Sequence, residues 1–265
     1  MSKTILITGA TDGIGFETAK KLVKLGHTVL LHGRSSEKLA AVEAELSSLG
    51  KVETYKADLS DLEAVTQLSE AIESSHKSLD VLLNNAGVLN SPSPTAKNGF
   101  DIRFVVNTLA PYLLSKKLLP LLTADSRTIN LSSAAQSPID LAALKGEKGS
   151  NDNMNAYAQS KLAITMWSNG LAKVLGQSGA QVISVNPGSL LASKMVKEGF
   201  GVEGKDLNIG ADILVRAALS DEFASASGKY FDNDIARFSD PHPDALDSEK
   251  CLNLLKELDS ILKPY

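Results

Sequence analysis

The chain has 265 residues, of which 43% are apolar and 22% charged, and its 27 basic and 31 acidic side chains leave a net charge of −4. This composition is typical of a soluble globular protein, and the acidic balance argues against nucleic acid or an anionic membrane surface as a partner. No apolar run reaches the roughly 18 residues of a membrane span. The single cysteine, Cys251, excludes an internal disulfide framework and favours a reducing, cytoplasmic setting and a structural thiol.

Short runs of β-branched and leucine residues alternate with longer segments of helical periodicity. The runs predict strands at residues 4–8, 28–32, 52–56, 81–84, 128–131, 181–185 and 229–232. The longer segments predict helices at residues 14–25, 36–48, 61–75, 100–120, 155–175, 208–219 and 245–262. Because the strands are apolar without alternating polarity, we expect helices on both faces of the sheet. The pattern predicts one α/β domain over residues 1–265, a doubly wound parallel sheet of about seven strands.

Three less regular segments follow predicted strands, at residues 89–97, 134–153 and 189–206. In open α/β sheets, such segments project from the carboxyl edge, where ligands bind. We expect these three segments to build the substrate pocket. Apolar residues that could line the pocket, or pack their own loops, are Leu89, Pro138, Ile139, Leu141, Leu190, Leu191, Met195 and Phe200.

The first predicted strand runs into a glycine-rich turn that opens an amphipathic helix. The turn has the spacing G-x-x-x-G-x-G, beginning at Gly9. Glycines let the backbone approach a pyrophosphate, and the N–H groups at a helix start attract it. The turn therefore predicts a dinucleotide site, with a glycine turn that binds no ligand as the alternative. The predicted binding residues are Gly9, Thr11, Asp12, Gly13, Ile14 and Gly15.

Arg34 follows the second predicted strand, where an NAD-specific site places an acidic residue that accepts from the ribose 2′-hydroxyl. An arginine at this position suits a 2′-phosphate, so the sequence favours NADP over NAD. The alternative is an ordinary exposed arginine at a helix start. No second basic residue lies in the glycine turn, where Asp12 takes the available position.

Small and polar residues also follow the third and fourth predicted strands. Asp58 and Leu59 follow the third strand, and Asn85-Ala86-Gly87 follows the fourth. Asp58 could accept a hydrogen bond from an adenine amino group, and the second turn would let a cofactor approach the backbone. We therefore predict that Asp58, Leu59, Asn85, Ala86 and Gly87 bind the cofactor.

A tyrosine and a lysine one helical turn apart point to acid/base chemistry. A free tyrosine titrates near pH 10, and a lysine on the same helix face, as Lys161 is to Tyr157, favours the phenolate. Tyr112-Leu-Leu-Ser-Lys116 repeats the same pattern earlier in the chain. That copy precedes the strand that ends in Ser132-Ser133, so we predict a packing role for Tyr112 and an exposed Lys116.

Together these motifs resemble the short-chain dehydrogenase/reductase family. The matching residues, in the family's order over residues 8–188, are the glycine turn, Asp58, Asn84-Asn85-Ala86-Gly87, Asn107, Ser132-Ser133, Tyr157-x-x-x-Lys161 and Pro187-Gly188. The resemblance implies a Rossmann-type fold and hydride transfer between NADP(H) and a carbonyl/alcohol pair. Tyr157 is then the general acid/base, and both Tyr157 and Lys161 also contact the cofactor.

The resemblance also implies roles for the remaining motif residues. Ser133 would hydrogen-bond the substrate oxygen, with Ser132 as the alternative. Asn107 would help anchor a proton-relay water near the lysine, unless it is a mid-helix asparagine bonded to the backbone.

Pro187 and Gly188 resemble the turn that holds the nicotinamide amide. The family often has a threonine four residues after this glycine, whereas this chain has Ala192 followed by Ser193. How the turn and the following loop are held is therefore open.

Two features resemble the branch that includes retinol dehydrogenases and protochlorophyllide reductases. Ser133 and Tyr157 are 24 positions apart, a longer gap than in many family members, and Ser227-Gly228-Lys229-Tyr230-Phe231 resembles the end of that branch. The resemblance implies a lipophilic small-molecule substrate.

A dinucleotide-binding redox sensor or scaffold without catalysis is the alternative function, and its usual signal would be loss of Tyr157 or Lys161. The chain lacks the G-x-S-x-G elbow of α/β hydrolases and the H-E-x-x-H motif of zinc proteases, so no metal site is predicted. Whether the protein forms a homo-oligomer is open.

Overall fold

The computed structural model describes residues 1–149 and 152–265, and within these ranges eight strands form one sheet. The strands are β1 (Thr4–Ile7), β2 (Thr28–Gly33), β3 (Val52–Lys56), β4 (Val81–Asn84), β5 (Arg127–Leu131), β6 (Gln181–Asn186), β7 (Tyr230–Asp232) and β8 (Arg237–Ser239). Their order is β3-β2-β1-β4-β5-β6-β7-β8, and every pair is parallel except β7 with β8. The predicted doubly wound α/β fold is confirmed.

Helices cover both faces of the sheet. They are α1 (Gly13–Lys24), α2 (Ser36–Leu46), α3 (Leu62–Ser75), α4 (Ile102–Phe104), α5 (Ala110–Lys117), α6 (Leu141–Leu144), α7 (Asn153–Leu175), α8 (Lys194–Phe200), α9 (Leu207–Leu219), α10 (Pro243–Leu246) and α11 (Ser248–Ile261). A π-helical turn, Val105–Leu109, joins α4 to α5. None of the helices in the described ranges is long and apolar enough to cross a membrane.

The core forms two layers because successive residues of each buried strand face opposite sides of the sheet. Leu6 and Leu30 pack under α3, α5 and α7, whereas Ile7 and Leu31 pack under α1, α2 and α9. Helix α11 covers α7 from outside, and its Cys251 is fully buried. Burial raises the pKa of this thiol to about 11, as expected of a structural cysteine.

The structure adds elements that the sequence patterns did not predict. Strand β8 has only three residues and follows a turn in which Ala236 has φ +53°, so no periodicity marks it. Helices α6 and α8 lie in segments predicted to be irregular. The side chains of Asp140 and Ser193 cap their first turns, and Gly201, at φ +66°, ends α8. Residues 150 and 151, within the predicted 134–153 segment, lie outside the described ranges.

The strand order reverses between β1 and β4, where β1 pairs with both β2 and β4. In open α/β sheets, ligands bind at the carboxyl edge beside such a reversal. The glycine turn after β1 and the Asn85–Gly87 turn after β4 both lie at this point.

Candidate active site

The glycine turn after β1 has a backbone that favours small residues. Gly9 and Gly13 have φ values of +68° and +56°, in the left-handed region. A Cβ atom on Gly15 would lie 2.2 Å from the Gly9 carbonyl oxygen, so this position also excludes a side chain. The Asp12 carboxylate accepts from the Gly13 N–H at 2.8 Å and caps α1. The turn therefore brings the positive end of α1 to the carboxyl edge of the sheet.

Thr11 and Ile14 join the glycine turn to neighbouring elements. A Cβ atom on Gly33 would lie 2.6 Å from the Thr11 methyl carbon, so Thr11 packs on the end of β2. The Ile14 side chain lies against Gly210 of α9 in the same way. Both side chains are partly exposed, and their packing holds the glycine turn against β2 and α9.

His32, at the end of β2, is a buried polar residue that the motif comparison missed. Its Nδ1 accepts from the Gly9 N–H at 3.2 Å, and its Nε2 donates to the Ala57 carbonyl oxygen at 3.1 Å. These partners require the Nε2–H tautomer. Burial lowers the pKa of His32 to about 4, so the ring is neutral at neutral pH. His32 thereby connects the glycine turn to the end of β3. In the sequence, a histidine within an otherwise apolar strand indicates such a buried polar contact.

The turns after β1 and β4 are held together by neutral hydrogen bonds. Asn85 donates from Nδ2 to the carbonyl oxygens of Thr8 (2.9 Å) and Gly9 (3.1 Å). The Thr8 hydroxyl oxygen accepts from the backbone N–H groups of Asn85 and Ala86. Asn85 and Ala86 therefore hold the turn after β4 against the glycine turn.

Two cations lie beside the glycine turn. Arg34 is exposed directly after β2, and its guanidinium forms no ion pair with any described residue. Lys38, in the first turn of α2, places its Nζ 3.4 Å from an oxygen of Asp12. The glycine turn itself has no basic residue, and Lys38 brings a cation to it from the next helix.

Asp58 and Leu59 differ in how they could serve a ligand. Asp58 is exposed, and one of its oxygens accepts from the Ser60 N–H and hydroxyl at 2.9 and 2.8 Å. The other oxygen is free to accept from a ligand. Leu59 is buried in the core, so only its backbone could reach a ligand.

Two adjacent serines end β5 and point in different directions. The Ser132 hydroxyl is buried, 2.6 Å from the Thr165 hydroxyl of α7. Ser133 is partly exposed, and its carbonyl oxygen accepts from the Tyr230 hydroxyl (3.1 Å) and from Nε2 of Gln136 (2.9 Å). This geometry favours Ser133 over Ser132 as the serine that faces the site.

Tyr157 and Lys161 lie near the start of α7, beside the end of β5. Tyr157 is partly exposed and Lys161 is buried, with the Lys161 Nζ 5.6 Å from the centre of the Tyr157 ring. Lys161 donates to the Leu131 carbonyl oxygen at 2.7 Å and has no carboxylate partner among the described residues. Ser133, Tyr157 and Lys161 are thus brought together at one edge of the sheet.

Lys161 is expected to lower the pKa of Tyr157, yet within the chain itself this pKa is raised. Burial raises the pKa of the Tyr157 phenol, and a side-chain hydrogen bond with Ser133 only partly opposes this. Burial also lowers the pKa of Lys161 to about 8. Within the chain itself, burial raises the pKa of Tyr157 above its usual value, so Tyr157 is a neutral phenol near pH 7.

Asn107 lies in the π-helical turn and bonds to two segments of the site. Its Nδ2 donates to the Val88 carbonyl oxygen and to the Ser160 hydroxyl, both at 2.9 Å. Its Oδ1 accepts from the Val88 N–H at 2.8 Å. A π-turn within an α-helix is frequent at functional sites, because it breaks the regular hydrogen-bond ladder. Asn107 therefore ties the turn after β4 to α7.

Gly87 marks an open space in the middle of the site. It is exposed, and a Cβ atom there would lie 3.4 Å from Asn107 Oδ1 and 3.6 Å from both Lys161 Nζ and the Met195 methyl carbon. A Cβ atom at this position would be in van der Waals contact with the lysine, with Asn107 and with Met195 of α8. The glycine keeps this space open to a flat ligand.

The turn after β6 contains Pro187 and Gly188, the latter at φ +120°. The Gly188 N–H donates to Asn186 Oδ1 at 3.3 Å, and Asn233 donates to the Pro187 carbonyl oxygen at 2.9 Å. Ser193, which follows Ala192 where the family often has threonine, caps α8 near Gly13. The segment after β6 thus passes over the glycine turn.

Four of the eight apolar residues predicted for the pocket form two contrasting groups. Leu89 and Leu191 are buried and pack against Gly199 and Gly210. Leu141 and Leu190 are exposed at 45% and 43%. The first group packs its own loops, and the second is available to a ligand. Phe200 belongs to α8, but its side chain lies outside the described part of the structure.

The second tyrosine–lysine pair lies in a different environment. The buried Tyr112 donates to Asp259 of α11 at 2.8 Å, and Lys116 pairs with the same carboxylate at 3.4 Å. Tyr112 also packs on Trp167 with ring centres 5.4 Å apart. These contacts agree with a packing role between α5 and α11.

The chain is similar in sequence to proteins of a known enzyme family. The family model described as short chain dehydrogenase matches residues 3–201. Retinol dehydrogenase 13 of Mus musculus is 33% identical over 276 residues, which cover 96% of this chain and 82% of the relative. The resemblance to retinol dehydrogenases is therefore confirmed.

Solved structures have the same fold. An uncharacterised protein from Mycobacterium paratuberculosis has a TM-score of 0.83 and 26% identity, covering 98% of this chain and 93% of that one. A short chain dehydrogenase from Burkholderia cenocepacia, solved in complex with NADP, has a TM-score of 0.69 and 26% identity, covering 87% and 95%. The chain therefore belongs to the short-chain dehydrogenase family and is an NAD(P)-dependent oxidoreductase.

Proposed function

We propose that the protein transfers a hydride between NADP(H) and the carbonyl/alcohol carbon of a lipophilic small molecule, with Tyr157 as the general acid/base. The observation that carries the proposal is the meeting of Ser133, Tyr157 and Lys161 at the carboxyl edge, beside the open space at Gly87. Because residue 87 is an exposed glycine, a planar nicotinamide could approach the backbone there beside Lys161. When bound, the cofactor supplies or accepts the hydride.

Tyr157 moves the proton at the substrate oxygen. As a neutral phenol near pH 7, it can donate to the oxygen of a carbonyl that is being reduced. Ser133 donates a second hydrogen bond to the same oxygen and holds the charge that develops there. The Tyr230 and Gln136 bonds to the Ser133 backbone keep this serine in place.

Lys161 supplies a buried positive charge beneath Tyr157. The Leu131 carbonyl oxygen takes one of its three ammonium hydrogens, which leaves the others for ribose hydroxyls of the cofactor. Its charge stabilises the phenolate that forms when Tyr157 gives up its proton. The Asn107 side chain, through its Val88 and Ser160 bonds, keeps the turn after β4 against this lysine.

Arg34 and Lys38 support NADP over NAD. Both cations lie beside the glycine turn, and the residue after β2 is Arg34 rather than an acidic side chain. A 2′-phosphate would be held by the free guanidinium of Arg34 and by Lys38, which would exchange its contact with Asp12 for the stronger charge.

Exposed apolar side chains support a lipophilic substrate. Leu141 and Leu190 come from two of the segments expected to build the pocket, residues 134–153 and 189–206, and both remain exposed at the carboxyl edge. Burying them under a substrate would contribute favourable free energy to binding.

The proposed activity is tested by NADPH consumption with a panel of aldehydes, ketones and quinones, alongside alcohols with NADP. Turnover with a lipophilic carbonyl, faster than with a small polar one, is the expected result. NADPH binding without turnover on any member of the panel would instead support the redox sensor or scaffold.

The NADP preference is tested by Arg34→Asp. Replacing the cation with a carboxylate should lower the NADPH/NADH ratio of kcat/KM by about 100-fold. Arg237→Asp, at the exposed opposite edge of the sheet, is the matched control and should leave the ratio unchanged. An unchanged ratio in Arg34→Asp would show that this residue does not bind a 2′-phosphate.

A further inference from the structure

The turn between β7 and β8 reaches across to the segment that follows β6. Asp234, in this turn, accepts hydrogen bonds from the Ser189 N–H (2.8 Å), from the Ser189 hydroxyl (2.5 Å) and from Nδ2 of Asn186 (2.9 Å). One carboxylate thus bonds on both sides of Pro187 and Gly188. The neighbouring Asn233 adds a bond to the Pro187 carbonyl oxygen at 2.9 Å.

The segment that Asp234 holds has an unusual backbone. Gly188 has φ +120°, and Leu190 has φ +55°, a left-handed conformation that a leucine rarely adopts. Such conformations persist only where the surroundings determine them. On one side the Lys205 N–H donates to the Leu190 carbonyl oxygen at 2.7 Å. On the other side, Asp234 and Asn233 determine the course of the turn.

The charge of Asp234 suits this role. Its partial burial would raise the pKa of the carboxyl group, but the Ser189 and Asn186 hydrogen bonds and the charge of Lys205 outweigh that and hold the pKa below its usual range. The group is therefore ionised at neutral pH, and hydrogen bonds to a carboxylate are stronger than those to a neutral acceptor.

We propose that Asp234 is a positioning residue that fixes the Pro187–Ser189 backbone against the nicotinamide end of the cofactor. This proposal rests on the proposed function. The pairing of β7 with β8 forms the turn that carries the Asp234 carboxylate. The Asp234 bonds also account for how the turn after β6 is held where Ala192 takes the place of the family's usual threonine. Asp234 acts through Ser189 and Asn186 and touches no reacting atom.

The first arm of the test compares two ligands by calorimetry. In Asp234→Ala, the affinity for NADPH should fall about tenfold, because the nicotinamide end is no longer held. Adenosine 2′,5′-bisphosphate lacks the nicotinamide, so its affinity should not change. Asp240→Asn, an exposed aspartate just beyond β8, is the control and should match the wild-type protein with both ligands.

The second arm measures the face of hydride transfer, with NADPH deuterated at one or the other C4 position. The wild-type protein should transfer from one face only, whereas Asp234→Ala should lower kcat about 10- to 100-fold and transfer from both. Asp234→Asn keeps the size and one acceptor oxygen, so it should be intermediate. If Asp234 acts through Ser189, the losses in kcat of Asp234→Asn and Ser189→Ala should not be additive in the double variant.

Equal weakening of both ligands, or unchanged kcat and facial selectivity in Asp234→Ala, would overturn the proposal. Bound bisphosphate reports that a variant is folded, and if Asp234→Ala does not fold, Asp234→Asn carries the same comparisons. Absence of turnover in the wild-type protein would count against the proposed function alone, because the two-ligand comparison needs no substrate.

Discussion

Helices α5 and α7 carry the same Tyr-x-x-Ser-Lys pattern in different surroundings. In α5, Tyr112 and Lys116 both contact the carboxylate of Asp259 in the C-terminal helix. That carboxylate balances the charge of the lysine and accepts the hydrogen bond of the phenol. The α5 pair is therefore part of the packing between two helices.

In α7, no carboxylate of the described residues meets either member of the pair. Lys161 bonds to a backbone carbonyl oxygen, and Tyr157 is beside Ser133 at the edge of the sheet. The charge of the lysine and the proton of the phenol remain available to a ligand. Helical spacing brings a tyrosine and a lysine together, and the neighbours from other elements decide what the pair can do.

The largest difference between the two tyrosine–lysine pairs is expected when the phenol of each is removed. Tyr157→Phe should lower kcat for carbonyl reduction by about 10³-fold, because the proton donor is lost, while the NADPH dissociation constant stays close to the wild-type value. Tyr112→Phe should retain most of the activity. Steady-state kinetics and fluorescence titration with NADPH measure both quantities. Comparable losses in the two variants would erase the proposed difference.

Replacing each lysine compares the stability effect of a buried charge at Lys161 with that of an exposed ion pair at Lys116. Lys161→Met should lower kcat about 100-fold, yet raise the free energy of unfolding by about 1–2 kcal/mol near pH 7, since it removes a buried charge that has no carboxylate partner. Lys116→Met should change neither quantity by a large amount, because surface ion pairs contribute little. Urea denaturation monitors stability, and a less stable Lys161→Met would contradict this account.

The same difference predicts a pH dependence. The folded-state pKa of Lys161 is about 8, below the usual value of 10.5, so the cost of burying its charge is fully present below about pH 8 and disappears as the pH rises to 10.5. The stability advantage of Lys161→Met over the wild-type protein should therefore shrink across this window. Paired denaturation curves at pH 7 and pH 10 measure it, and a constant gap would exclude the buried-charge explanation.

The smallest expected effect is on packing in α5. Tyr112→Phe removes the hydrogen bond to Asp259, which should lower the free energy of unfolding by about 1 kcal/mol. Asp259→Asn keeps an acceptor oxygen for Tyr112 and loses only the exposed ion pair with Lys116, so it should have a smaller effect. Thermal unfolding of both variants tests this, and a loss of catalysis without a loss of stability would assign the pair a different role.

Much of the fold could be predicted because it depends on local patterns. The seven parallel strands and the long helices follow from apolar runs and helical periodicity. Strand β8 could not be found in this way, since three residues carry no period and its pairing depends on the turn at Ala236. The start of α8 did have a local signal, because Ser193 is a good N-cap and Gly201 a good helix end.

For the candidate site, residue types and spacing predicted which groups gather at the sheet edge. They did not predict His32, Lys38 or Asp234, which contact the turns after β1 and β6 from other parts of the chain. Nor could they predict that burial raises the pKa of Tyr157, because desolvation depends on the packed structure.

Deuteride transfer directly tests whether the protein reduces a carbonyl with Tyr157 as the proton donor. NADPH carrying two deuterium atoms at C4 is mixed with the best carbonyl of the panel, and the alcohol formed is examined by mass spectrometry. We expect an alcohol heavier by one deuterium with the wild-type protein and with Tyr112→Phe, and almost none with Tyr157→Phe. An unlabelled product, or labelling at the wild-type rate by Tyr157→Phe, would contradict it.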